Sequence, residues 1–242
     1  MKVIPVIDIL NGLAVHAVRG RRQEYQPLQS SLCKSTKPLE VAKAFKTLGF
    51  SDLYIADLDA ITGSQVNFQT LNCIADETGL RLMVDAGVAN LETAEKLLGN
   101  RVSKIIVGTE TLENKGFVGE AMRIWGNDRI IVSLDFKGEK VLVKLGFKGC
   151  KDPLCLLGEF RRMGVLDFIV LDLTRVGSCE GVNLDFLKKA LEENVNVYVG
   201  GGVRDIDDLI WLENLGVSGV LVATALHSGK ISIQDLKKNK MI

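Results

Sequence analysis

Apolar positions along this chain alternate between two patterns. Short runs of nearly continuous Val, Ile and Leu are followed by segments in which apolar residues return every three or four positions. The runs are Val3–Ile9, Leu53–Leu58, Arg81–Asp85, Lys104–Val107, Arg129–Leu134, Asp167–Leu171, Val197–Val199 and Val220–Val222. Such runs suit strands buried on both faces of a parallel sheet. The helical pattern predicts helices from Pro38 to Gly49, Asn67 to Gly79, Asn90 to Gly99, Phe117 to Trp125, Pro153 to Met163, Asn183 to Glu193, Asp205 to Gly216 and Ile233 to Lys238. Ala14–Val18 and Lys140–Leu145 read as short excursion strands. The polar stretch from Arg19 to Lys37 is long for a loop, and two readings of it stand open. With Arg21, Arg22 and Tyr25 it either closes over a ligand or runs as a solvated excursion.

Eight strands alternating with eight helices imply right-handed βαβ units around a parallel sheet. In about 250 residues that is the size of an α/β fold of the (β/α)8 TIM barrel type. The alternative is a doubly wound open sheet. Against it, no Gly-x-Gly-x-x-Gly follows the first strand. The chain also repeats itself. Val84-Asp-Ala-Gly-Val aligns with Val199-Gly-Gly-Gly-Val, Ile106-Val-Gly-Thr with Leu221-Val-Ala-Thr, and Ile55-Ala-Asp-Leu with Val170-Leu-Asp-Leu, all at one offset. Ile7-Asp-Ile finds a partner in Leu134-Asp-Phe. We therefore expect one domain, residues 1–242, made of two half-barrels of about 1–127 and 128–242 with an internal twofold repeat.

Composition narrows the function. The chain has 242 residues, 47% of them hydrophobic, and Lys plus Arg equal Asp plus Glu at 30 each. The balanced charge offers no chain-wide field for nucleic acid or a membrane surface. No apolar run approaches a membrane span, and the first strand begins with no signal peptide before it. Five cysteines without a Cys-x-x-Cys pair fit reduced thiols and a cytoplasmic location better than a disulfide framework or a zinc site. Two histidines, His16 and His227, leave little for metal or triad chemistry. The expected partner is a phosphorylated small molecule, bound by a monomer or small homo-oligomer.

In such a barrel the active site lies at the C-terminal ends of the strands. The repeat puts Asp8 and Asp135 there, opposed across the mouth, where two carboxylates can serve as general base and general acid. A structural role as loop caps is the alternative for each. Asp57, Asp59 and Asp172 also end strands and read as loop-holding residues. Cys179 reads as a passive thiol, with no histidine near it in sequence. Gly200-Gly201-Gly202 lies between a strand and a helix start rich in Asp, so its backbone can approach an anion closely. Tight strand–helix packing would explain the same glycines.

At this point a resemblance becomes specific. Ile4-Pro-Val-Ile-Asp-Ile-Leu-Asn-Gly, Ile55-Ala-Asp-Leu-Asp-Ala, Val107-Gly-Thr, Val132-Ser-Leu-Asp and Gly200-Gly-Gly-Val resemble the histidine-biosynthesis barrels, the family of ProFAR isomerase and the imidazole glycerol phosphate synthase cyclase. The start of the chain is more similar to the isomerase. The resemblance implies a barrel without cofactor or metal and an Amadori rearrangement of a phosphorylated aminoaldose. It implies Asp8 as general base. It implies one phosphate site at Gly87, Gly108 and Thr109, and another at Gly201, Gly202, Ala223 and Thr224, with Ala223 standing where the family has glycine.

Other departures are informative. Asp85 and Ala86 replace the first two glycines of the family's Gly-Gly-Gly. Val176 stands where the isomerase has its acid, Leu171 where it has Thr or Ser, and His16 where it has Arg. Three readings follow: an isomerase of ProFAR type, another reaction such as a lyase, cyclase or synthase on a monophosphate, and a barrel that binds a phosphate ligand without catalysis. Asp85 beside a phosphate cradle predicts weaker anion binding at the first site than at the second.

Overall fold

The computed structural model describes all 242 residues. In chain order the strands are β1 (Lys2–Leu10), β2 (Leu13–His16), β3 (Gln26–Pro27), β4 (Asp52–Asp57), β5 (Arg81–Asp85), β6 (Val102–Gly108), β7 (Ile130–Lys137), β8 (Lys140–Val141), β9 (Asp167–Asp172), β10 (Asn196–Gly200) and β11 (Gly219–Val222). The helices are α1 (Pro38–Leu48), α2 (Leu58–Ile61), α3 (Phe68–Thr78), α4 (Leu91–Gly99), α5 (Gly116–Trp125), α6 (Pro153–Arg162), α7 (Leu184–Leu191), α8 (Ile206–Asn214), α9 (Thr224–His227) and α10 (Ile233–Lys238).

Eight strands pair in parallel in the order β1-β4-β5-β6-β7-β9-β10-β11, and β11 returns to β1 through Lys2↔Gly219 to Pro5↔Val222. The sheet is thus a closed (β/α)8 barrel. The open-sheet alternative fails because both of its would-be edge strands are hydrogen-bonded to each other. The predicted excursion at Lys140–Leu145 shortens to Lys140–Val141, which pairs antiparallel with β7, and Leu142 onward is loop. The periodicity missed α2 and α9. Each has four residues, too few for a helical period to show. No helix is long and apolar enough to cross a membrane.

Local chemistry starts and stops the helices as the sequence suggests. Asn67, Asn90, Asp152, Asp205 and Ser232 each accept a hydrogen bond from a first-turn N–H. Gly49 and Gly79 end α1 and α3 in left-handed backbone.

Side-chain alternation divides the apolar residues into two cores. Leu53, Ile55, Leu82, Val84, Ile105, Val107, Ile130, Val132, Phe168, Val170, Val197 and Val199 point outwards and join the helices in one cluster of 57 buried residues. Ile4, Tyr54, Met83, Ile106, Ile131, Ile169 and Leu221 point inwards and fill the barrel in a separate cluster of 10. Strand residues two positions apart share a face. The position two or four residues beyond this inner layer therefore faces the same lumen at the C-terminal mouth. Asp8, Ala56, Asp85, Gly108, Asp135, Leu171, Gly200 and Ala223 occupy those positions.

This layering has a measurable consequence. Ile131 is fully buried in the lumen, whereas Ile124 on α5 is 56% exposed. Ile131→Ala should lower the unfolding free energy by about 2–5 kcal/mol. Ile124→Ala should stay within about 0.5 kcal/mol of wild type. Urea denaturation of both variants checks this, and equal effects would contradict a packed lumen.

Candidate active site

One cleft opens at the C-terminal mouth, with an open volume of about 990 Å³ including its entrance. Strand ends contribute Val6, Asp8, Tyr54, Ala56, Asp85, Asp135, Leu171, Gly200, Leu221 and Val222. The loops add two opposed rims. One is Gly201, Gly202, Val203, Ala223, Thr224 and Ala225; the other holds Ile61 and Glu110. Leu171, Leu173 and Val176 make an apolar wall.

The first part of the Arg19–Lys37 segment borders this cleft. Gly20, Arg22 and Tyr25 line the cleft, and Arg22 Nη2 meets Glu110 Oε2 at 2.8 Å. The Arg19 N–H donates to Val176 O at 2.9 Å. The far end is anchored on α9. Both the N–H and hydroxyl of Ser31 donate to His227 O, and His227 Nδ1 lies 2.8 Å from Ser30 Oγ. Burial pushes His227 down to about 4, so it is neutral at physiological pH.

Three carboxylates share the floor. Asp8 is half-buried and no protein group donates a hydrogen bond to it. Burial, and then the neighbouring Asp85 charge, raise it to about 7. Asp85 accepts the Gly87 N–H at 3.1 Å and the Tyr54 hydroxyl at 3.4 Å. Burial nevertheless holds it at about 6. Asp135 accepts the Ser133 hydroxyl at 2.7 Å and the Glu110 N–H at 3.1 Å, and burial followed by Asp85 raises it to about 7. Asp85 is thus the charge common to Asp8 and Asp135. Arg22 is the sole basic side chain lining the cleft, and it is paired with Glu110. The carboxylates form no metal-ligand group. Burial therefore holds all three carboxyls above the ordinary carboxylate range, with Asp85 raising the other two further.

The predicted residues fall into two sets. Asp8, Asp135, Gly201, Gly202, Ala223 and Thr224 line the cleft. The N–H groups of Gly201, Gly202, Val203 and Ala223 donate to no group of the protein. His16 Nε2 sits 3.0 Å from Thr224 Oγ1 beside them. Gly87, Gly108 and Thr109 do not line the cleft. A Cβ on Gly87 would lie 3.0 Å from Ile61 Cα, and one on Gly108 would lie 2.9 Å from Asp135 Oδ2. Thr109 is buried, and its hydroxyl accepts the Asp135 N–H. Asp57 and Asp172 hold loops. Asp57 takes the N–H groups of Ala60 and Asn67, while Asp172 takes Thr174 and Asn183. Asp59 accepts the Asn11 N–H. Cys179 lines the cleft and is unpaired.

Sequence reasoning missed Tyr54, Ser133 and Glu110. Parity from Asp8 and Asp135 would have found Ser133, which lies two positions before Asp135. Tyr54 and Glu110 act across strands and carry no local signal. Asp85 was visible but read only as an obstacle to phosphate.

The site is thus the mouth of a closed barrel, with three carboxylates on its floor and unpaired amides on one rim. Comparison with known proteins then places the chain. The family model described as histidine biosynthesis protein matches residues 2–232, and the chain belongs to that family. An uncharacterized protein of Methanocaldococcus jannaschii is 39% identical over 240 residues, covering 98% of this chain and 97% of the other. The ProFAR isomerase of Prochlorococcus marinus is 36% identical over 245 residues, covering 97% and 92%. That of Methanosphaera stadtmanae is 32% identical over 241 residues, covering 98% and 99%.

The shared charge of Asp85 sets a pH dependence. A carboxyl raised in the folded state binds its proton more tightly there than in the unfolded chain. Its contribution to stability is full below the ordinary value of 3.8 and is lost as pH rises through about 6 for Asp85 and about 7 for Asp8 and Asp135. Asp85→Asn removes one such group and lowers the other two towards their ordinary range. The variant should therefore gain stability relative to wild type as pH rises from 4 to 8, and carbon-13 NMR should show Asp8 titrating lower. An unchanged Asp8 titration would contradict the coupling.

Proposed function

We propose that the protein is an isomerase-type enzyme acting on a phosphorylated sugar or aminosugar-type small molecule, with Asp8 as general base. The observation that supports this most is the Asp8 carboxylate itself. It faces the cleft, has no hydrogen-bond partner, and is poised near neutrality by burial and by Asp85. A base tuned near the working pH combines a usable ionised fraction with proton affinity.

In an Amadori-type rearrangement, ionised Asp8 takes the proton from the carbon beside an imine or carbonyl. The electron pair moves into an enaminol or enediol. A protonated carboxyl, Asp135 or one relayed by water, returns a proton at the neighbouring carbon. The imine nitrogen or carbonyl oxygen gains a proton as the enaminol or enediol forms, and the neighbouring hydroxyl loses one as the ketone forms, so two protons leave and two arrive and no oxidant or reductant is consumed. The unpaired amides of Gly201, Gly202, Val203 and Ala223 hold the phosphate, because backbone N–H groups left free by the protein favour an anion. The segment carrying Arg22 and Tyr25 excludes water from the reacting carbons.

One observation favours a second reading. Val176 stands where the resemblance expects the isomerase's acid, and it lies in an apolar wall with Leu171 and Leu173. Valine donates no proton. The same carboxylates would then serve a different reaction on a monophosphate, such as a lyase, cyclase or synthase step.

Incubation in deuterated buffer with ProFAR and with pentose monophosphates tests the proposal. We expect isomerisation or hydrogen exchange at carbon with at least one of them. Asp8→Asn should reduce the rate by at least about 100-fold while inorganic phosphate still binds. Full turnover in Asp8→Asn would remove Asp8 from the mechanism. Product formation without isomerisation would move the assignment to the second reading.

A further inference from the structure

The two rims that the sequence repeat pairs are treated differently by the protein's own groups. At the Gly201–Thr224 rim the amides of Gly201, Gly202, Val203 and Ala223 are unpaired and line the cleft. At the opposite rim the repeat aligns Ala86, Gly87 and Val88 with Gly201, Gly202 and Val203, and Thr109 and Glu110 with Thr224 and Ala225, and three of these five donors are taken. The Gly87 N–H goes to Asp85 Oδ1 at 3.1 Å, the Thr109 N–H to Ser133 O at 2.9 Å, and the Glu110 N–H to Asp135 Oδ2 at 3.1 Å. Two carboxylates therefore already stand in the anion positions of that rim. Ala86 and Val88 keep unpaired amides, but neither lines the cleft.

Space agrees with hydrogen bonding. The α2 backbone at Ile61 packs against Gly87, and the carboxylates of Asp135 and Asp85 pack over Gly108, 2.9 and 3.6 Å from where a Cβ would stand. A phosphate arriving there would have to displace a carboxylate from its amide and remain beside it. It would also face Asp8 and Glu110, with Arg22 already engaged by Glu110. Like charges this close in a protein-lined cleft disfavour one another far more than in water.

We propose that the cleft takes a substrate with a single phosphate, bound at Gly201–Ala223, whose other end is neutral or cationic and faces Asp8, Asp85 and Glu110. This rests on the acid–base reading above and narrows its substrate class. It also separates this chain from an enzyme for a substrate with phosphates at both ends.

Isothermal titration of the intact protein at pH 8 with a pentose monophosphate and a pentose bisphosphate tests it. The monophosphate should bind, and the bisphosphate should bind no more tightly. Asp85→Gly, which frees the Gly87 N–H, should improve the bisphosphate relative to the monophosphate by about tenfold or more. If wild type binds the bisphosphate about tenfold more tightly than the monophosphate, the single-phosphate proposal is overturned while the phosphate-enzyme reading stands. If wild type binds neither, the phosphate reading itself fails, and this inference fails with it.

Discussion

Closure of the barrel is the constraint from which the site follows. Once Lys2–Pro5 pairs with Gly219–Val222, none of the eight parallel strands has a free edge and each must present alternate residues to one lumen. Register then decides which alternate residues meet. Asp8 lies opposite Ala56, Ala56 opposite Asp85, Asp135 opposite Leu171, and Leu171 opposite Gly200. A one-residue slip in any pair would turn a carboxylate out into the apolar shell. Ile4, Tyr54, Met83, Ile106, Ile131 and Ile169 fill the layer beneath and exclude water from below the carboxylates.

That packing explains why the carboxylates titrate high. Ionising a carboxyl is costly where water is excluded and the nearest neighbour is another carboxyl. Hydrogen bonds from Tyr54, Ser133 and the Gly87 and Glu110 amides partly offset the cost for Asp85 and Asp135. Asp8 receives no such help. The larger outer core, where Phe45, Phe160 and Phe168 are fully buried between strands and helices, supplies the stability that tolerates this unfavourable cluster.

The two rims also show how one loop pattern can serve two ends. Glycine at 201 and 202 has positive φ, and added Cβ atoms would strike Asp172 O at 2.7 Å and Gly181 O at 2.1 Å. Packing and anion binding therefore require the same residues here, because glycine on the loop side leaves the amides on the cleft side. At Gly87 and Gly108 the packing is looser, with a Cβ meeting Ile61 Cα at 3.0 Å and the Asp135 carboxylate at 2.9 Å, and the protein's own carboxylates and α2 fill that space. Glycine content by itself could not tell these situations apart.

Much of the architecture was readable from residue patterns. Strand runs, helix starts at Asn67, Asn90 and Asp205, and the alternation of elements are local properties, and the resulting strand order follows from short right-handed connections. The strand-end positions of Asp8 and Asp135 were readable for the same reason, since parity along a strand is set by the backbone. What only the tertiary structure decided are relations between distant segments: Tyr54 against Asp85, the Glu110 amide on Asp135, the first part of the Arg19–Lys37 segment bordering the cleft, and which amides remain free. These depend on register between strands and on loop paths across the mouth. No local propensity encodes them, because the groups that meet lie dozens of residues apart and are brought together by closure of the sheet.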